Sequence, residues 1–275
     1  MEKDLMNFEH RWKLRDWIPL EKLQWRTLSE NSSAIYLLES NLKTTSHPEE
    51  ICKINWVSLS RNASAIHLLE KNPEKIIYES LSSNPSGIHL LEKNLDKINW
   101  SYLSVNPSAI HLLEKYSRKI NWEYLCENPL AIHFLEKNLR KIDWFRLSFN
   151  PNAIHLLESN PNKINWKCLS LNPSAIHLLE ANPDKINWDL LSKNPSAIHL
   201  LEANPDKINW IHLSVNPSAI NLLSQNQDKI NWCQLSENTS IFELDYEFFH
   251  RRINIIREEL MEKAWHPLRF EKWCI

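Results

Sequence analysis

Glycine is all but missing from this sequence: Gly87 is the single one among 275 residues. A glycine-rich loop of the kind that cradles phosphates is excluded, and the turns must be made by other residues. Cysteine is sparse as well. The five cysteines, Cys52, Cys126, Cys168, Cys233 and Cys274, are odd in number and lack paired spacing, which argues for a reducing compartment rather than a disulfide framework. No apolar run is long enough to span a membrane, and Met1-Glu-Lys-Asp-Leu lacks the basic-then-apolar pattern of a secretion signal. An intracellular protein is expected. Neither sign of charge dominates, since 32 basic and 34 acidic residues leave a net charge of -2. Bulk charge therefore recruits neither nucleic acid nor an anionic membrane.

Repetition is what the sequence holds in quantity. Lys97 to Lys115 reads Lys-Ile-Asn-Trp-Ser-Tyr-Leu-Ser-Val-Asn-Pro-Ser-Ala-Ile-His-Leu-Leu-Glu-Lys, with Trp100 lying 22 residues after Tyr78 and 22 before Trp122. The same step reaches Trp144, Trp166, Trp188, Trp210 and Trp232, while Trp56 and, after a step of 31, Trp25 stand upstream, making ten copies. A period of this length marks a solenoid, whose units bury their apolar faces only against one another. In one helix of the unit, Ala109, Ile110, Leu112 and Leu113 share a face, and Asn106-Pro107 supplies an N-cap and a first-turn proline. A shorter helix starts at Asn99 and carries Trp100 and Leu103 on one side. The asparagine after the first helix, as in Asn138, Asn160, Asn182 and Asn204, is expected to take the left-handed conformation that glycine usually supplies.

The predicted fold is all-α: an α-solenoid of about ten two-helix 22-residue repeats with N- and C-terminal capping helices. Residues 1–21 form an N-terminal cap, 22–244 the repeats, and 245–275 a C-terminal capping helix and tail. Phe249, Ile253, Ile256 and Leu260 fall at helical spacing, as a helix closing the solenoid requires. An insertion loop covers about 42–52. At one layer per repeat, the stack is expected to extend roughly 80 to 100 Å.

Four columns invite chemistry. Histidine recurs at His67, His89, His111, His133, His155, His177 and His199, but packed repeats stand roughly 8 to 10 Å apart, too far for two of these imidazoles to share a metal. They read as exposed or backbone-bonded side chains, whose joint protonation in acid would make a pH response. Lysine precedes every Ile-Asn-Trp step, and glutamate ends the first helix in eight copies, so lysine-glutamate ladders are expected in preference to an anion track. Nine of the 13 tryptophans share one column, which reads as core. Cys126 stands where nine copies have serine, as a small packed residue. Ser, His, Asp and Cys are present, but at repeating positions that would make every copy a catalytic site or none; no catalytic, metal or cofactor residue is assigned.

Specificity is expected on the columns that vary, the two residues after each tryptophan and the one after each serine. Mid-chain these hold Tyr102, Val105, Tyr124, Phe145, Arg146, Phe149, Leu171, Leu190, Ile211 and Val215, an apolar arc suited to a protein partner. Leu14-Arg-Asp-Trp-Ile-Pro-Leu-Glu-Lys-Leu-Gln-Trp25, the tandem Asn-Pro-Ser-Ala-Ile-His-Leu-Leu-Glu units, and Arg257-Glu-Glu-Leu-Met-Glu-Lys-Ala-Trp-His-Pro267 together resemble the tandem-repeat proteins of giant nucleocytoplasmic DNA viruses. The resemblance covers the whole chain and carries over no activity. It implies a viral protein of the host cytoplasm or the virion. The expected role is a non-catalytic scaffold binding a viral or host protein; the alternatives are a self-associating structural component and nucleic-acid binding along the lysines.

Overall fold

The structure, a computed structural model, describes residues 12–44 and 54–264. It is an all-α repeat solenoid, as the period requires. The repeats are numbered 1 to 10 by Trp25, Trp56, Tyr78, Trp100, Trp122, Trp144, Trp166, Trp188, Trp210 and Trp232. In repeat 4 a tryptophan helix, Trp100–Val105, is followed by a 3-10 turn, Pro107–Ala109, and a histidine helix, Ile110–Lys115. The core is made of three columns. The leucine of the tryptophan helix, as Leu103 or Leu147, the alanine of the turn, as Ala109 or Ala153, and the second leucine of the histidine helix, as Leu113 or Leu157, have no exposed surface. Each such leucine contributes about 1.5–3 kcal/mol of burial.

Helices this short have little stability alone, and asparagine supplies what their ends need. Asn106 adopts an extended conformation and caps the turn by accepting from the Ser108 N–H at 3.0 Å. Its Nδ2 reaches back one repeat, donating to the carbonyls of Ser82 and Asn84 at 3.0 and 2.9 Å. The pattern holds in all ten repeats. The serine after the core leucine forms a second ladder. Its hydroxyl donates to the tryptophan carbonyl four residues back, as Ser148 to Trp144 at 2.8 Å, and accepts the N–H that opens the next tryptophan helix, Asn165 at 3.0 Å. Cys126 stands in for serine in both roles, at 3.2 and 3.3 Å.

Both ladders close on themselves. Asn31 of repeat 1 donates to the carbonyls of Ser236 and Asn238 in repeat 10 at 3.0 and 3.1 Å, and the Gln24 N–H donates to the Ser236 hydroxyl at 2.9 Å. The open end faces that the N- and C-terminal caps were expected to cover therefore meet each other, and the repeats form a ring instead of an extended stack. The physical cause is regularity: ten nearly identical units each turning the stack by about 36° complete a circle. Consecutive Pro-Ser-Ala turns, and tryptophan helices such as Trp100–Val105 and Trp122–Leu125, lie in backbone contact, while consecutive histidine helices touch least. In a closed ring the widest spacing lies farthest from the axis, so the histidine helices form the outer rim.

Two further expectations are corrected. The asparagines that follow the histidine helix are not left-handed: Asn138, Asn160, Asn182 and Asn204 have φ between -134 and -136°, and no described residue has positive φ. Their side chains instead donate to the carbonyl four residues back at 2.9 Å, satisfying a helix end without the strained conformation. Gly87 is right-handed too; a Cβ there would lie 2.6 Å from Leu81 Cδ1, so Leu81 occupies space that alanine fills in other repeats. The inserted segment begins as helix, since Ile35–Thr44 runs on past the length of the other histidine helices; its remainder lies outside the described residues.

The ring, Trp17–Ile241, is one compact unit. The other contains β1, Trp12–Leu14, β2, Phe242–Leu244, and a C-terminal helix, Tyr246–Ala264. β1 and β2 pair antiparallel, with Lys13 opposite Glu243 and the Arg15 guanidinium donating to Glu243 at 2.9 Å. The sequence reading missed this pairing. The stripe of the C-terminal helix, expected to be buried in closing the solenoid, is exposed at Ile253, Ile256 and Leu260. The tail residues Phe270 and Trp273 and the first eleven residues lie outside the described part.

Ring closure has a direct test. Asn31→Ala is expected to lower stability by about 2–4 kcal/mol, as much as Asn150→Ala, because each strips two donors from buried carbonyls. In an open stack Asn31 would lose only its cap bond, worth about 1 kcal/mol. Urea midpoints of the two variants distinguish these results.

Candidate functional site: the variable face of the ring

Side chains outside the core form ladders of their own, and these differ from the expected pairings. Each histidine of the outer rim meets the glutamate of the preceding repeat: His89 with Glu70 at 2.9 Å, His111 with Glu92 at 3.0 Å, and so on to His199 with Glu180 at 2.9 Å. His67 pairs likewise with Glu39, and His133 stands 3.8 Å from Glu114. Both partners are about half exposed from His89 onward, so each pair contributes little to stability. The glutamates thus go to histidine, and the lysines go elsewhere. Lys163 sits over the Trp144 ring at 4.7 Å, Lys141 over Trp122 at 4.0 Å, and Lys22 over Trp232 at 4.6 Å across the ring closure. The tryptophans are half-buried and lie outside the core, which corrects the reading of that column. They serve as platforms for the next repeat's lysine.

The ten residues of the variable arc divide. Phe145 and Ile211 are 52 and 54% exposed; Tyr102, Val105, Tyr124, Arg146, Phe149, Leu171, Leu190 and Val215 are half-buried between neighbouring repeats. In repeats 4 to 6 the fold brings them together. Tyr102 meets Tyr124 edge-on at 6.2 Å, and the Arg146 guanidinium lies over Tyr124 at 4.3 Å. Arg146 is clamped by Glu123, 2.9 Å from its Nε, and by Glu127, and these two carboxylates outweigh burial in holding its proton more firmly than usual. Phe145 and Phe149 meet edge-on at 5.8 Å. The result is two sets of contacts side by side in the chain: Tyr102, Tyr124 and Arg146 in one row, and the pair Phe145 and Phe149 on either side of Arg146 in sequence.

The rest of the arc does not join them. Ile211 and Val215 belong to repeat 9, and Val215 lines a recess of about 260 Å³ at the ring closure together with Asn31, Glu30 and Glu237. Sequence reasoning overlooked Glu123 and Glu127, which are unremarkable as single letters. It also overlooked the exposed Leu130, which stands where most repeats have serine, and the exposed Leu139, in a column that Leu95 also fills with leucine. Burial pushes the Cys126 and Cys168 thiols up to about 11, the wrong direction for a nucleophile. Among the described residues no helix is long and apolar enough to cross a membrane. Compared with protein-family models, curated proteins and solved structures, the chain matches none.

Two predictions arise. Since Leu147 is fully buried and Trp144 only half so, Leu147→Ala is expected to cost about 2–5 kcal/mol and Trp144→Ala about 1–3 kcal/mol in chemical denaturation, with leucine the worse loss. At the ring closure, partial burial and then the Glu30 carboxylate push Glu237 above its ordinary value, while Lys193 pulls it down. A carboxyl raised by folding stabilises fully below the unfolded value, and that contribution is lost as pH rises through the folded one. Glu237→Gln should therefore raise the urea midpoint at neutral pH and leave it unchanged in acid below 4.5.

Proposed function

We propose that this chain is a non-catalytic ring of repeats that recognises another protein through the aromatic patch of repeats 4 to 6. The observation that carries the reading is the row of Tyr102, Tyr124 and Arg146, with the pair Phe145 and Phe149 flanking Arg146 in sequence, at columns the core leaves free to vary. Tyrosine and arginine at well-packed, partly exposed positions are the composition of binding hot spots. Ring contacts and the Glu123 and Glu127 ion pairs already hold these groups, so little side-chain freedom is lost on binding. The resemblance to giant-virus repeat proteins would make the partner a viral or host protein, met in the host cytoplasm or the virion.

Catalysis has little in its favour, because the polar columns recur from repeat to repeat and are engaged in ladders. Nucleic-acid binding along the lysines is disfavoured by the tryptophan rings under their ammonium groups and by acidic neighbours such as Asp184 and Asp206. Self-association has one specific observation behind it, the exposed stripe of the C-terminal helix.

Phe145→Ser tests the patch at its most exposed member. In nuclease-treated affinity capture at physiological salt, a protein retained by the parent should be lost, or its Kd raised at least about tenfold, while the thermal unfolding midpoint stays unchanged. Undiminished retention by Phe145→Ser and by Arg146→Glu would remove the patch from consideration.

A further inference from the structure

The C-terminal helix, Tyr246–Ala264, is 19 residues long and carries an apolar stripe that is open along most of its length. Ile253, Ile256, Leu260 and Met261 are 52, 41, 62 and 53% exposed, and with Arg257 they line an open apolar recess. Phe249, one turn earlier on the same face, is half-buried. From Phe249 to Ile253 to Ile256 to Leu260 the steps are four, three and four residues. This is the 3.5-residue repeat of a narrow two-helix seam, in contrast to the wider face that a helix lays on a globular core. We propose that the stripe is the seam of an antiparallel helix pair made with the same helix of a second copy of this chain.

The flanking charges select both partner and direction. With Ile253 and Leu260 at one seam position and Phe249 and Ile256 at the other, Arg252 and Glu259 fall on one flank, His250 and Arg257 on the other. A parallel pair sets Arg252 of one copy against Arg257 of the other, like charge against like. An antiparallel pair sets Arg252 against Glu259 of the second copy, twice by symmetry, and His250 beside Arg257. The same register stacks Phe249 on Leu260 and Ile253 on Ile256, each twice, along about 17 Å of helix. A self-complementary face of this kind closes as a two-fold dimer and leaves no seam free for further copies. The flanking pairs set direction more than strength, which comes from the buried seam. None of these residues belongs to the aromatic patch, so the dimer stands or falls independently of the partner-binding reading.

Sedimentation equilibrium of the full chain tests the pairing. The parent is expected to be a dimer and Ile256→Asp a monomer with the parent's helix content. Arg252→Glu and Glu259→Arg, made singly, should each raise the dimer Kd about fivefold, and the double reversal should restore it. A parent that remains monomeric at millimolar concentration, or an Ile256→Asp variant that still dimerises, would overturn the proposal. So would tighter association of Arg252→Glu, the result that a parallel pair requires.

Discussion

One buried side-chain amide, repeated ten times, underlies this structure. The asparagine ahead of each Pro-Ser-Ala turn caps its own turn through Oδ1 and spends both Nδ2 hydrogens on carbonyls of the preceding repeat. No shorter or longer side chain offers an acceptor at cap distance together with two donors aimed backward. Buried carbonyls left without those donors would cost more than the bonds themselves contribute. The ladder therefore fixes the spacing and tilt between neighbours, and the leucine and alanine columns pack in the frame it defines.

Closure follows from that uniformity. Because every interface repeats one geometry, the interface between repeats 10 and 1 can be the same as the other nine, and the Asn31 and Gln24 contacts are those of the interior. A ring has no terminal repeats to protect, which removes the usual solubility problem of solenoids. Departures from the pattern are absorbed locally. Cys126 keeps both serine contacts through its sulfur, Tyr78 takes the tryptophan's place beneath Lys97, and in repeat 4 Tyr116 packs edge-on against Trp100.

Once the ladders have used the invariant columns, function is left to what varies. The outer rim carries a monotonous set of histidine-glutamate pairs, and the tryptophan helices carry lysines on rings; neither distinguishes one repeat from the next. Repeats 4 to 6 do, through edge-on aromatic pairs and Arg146 over Tyr124. The C-terminal helix adds a second distinct surface with its own apolar spacing. One chain thus presents two surfaces of different composition, one aromatic and one aliphatic.

The period, the two helices per unit, the cap at Asn106 and the apolar columns were legible in sequence, because local spacing and capping depend on residues a few positions apart. The variable columns were legible as well, but not the contacts within them, Tyr102 with Tyr124, Tyr124 with Arg146 and Phe145 with Phe149. The backward bonds of asparagine were not, since their acceptors are backbone carbonyls that any residue presents. Nor were the histidine-glutamate pairs, which join residues 19 apart in the regular repeats, or the burial of leucine ahead of tryptophan. The ring itself was the least visible. Sequence determines that every unit repeats the same turn, whereas the size of that turn is set by how side chains of adjacent units seat against one another. A few degrees per interface, summed over ten, separate an open spiral from a closed circle, and only tertiary packing decides between them.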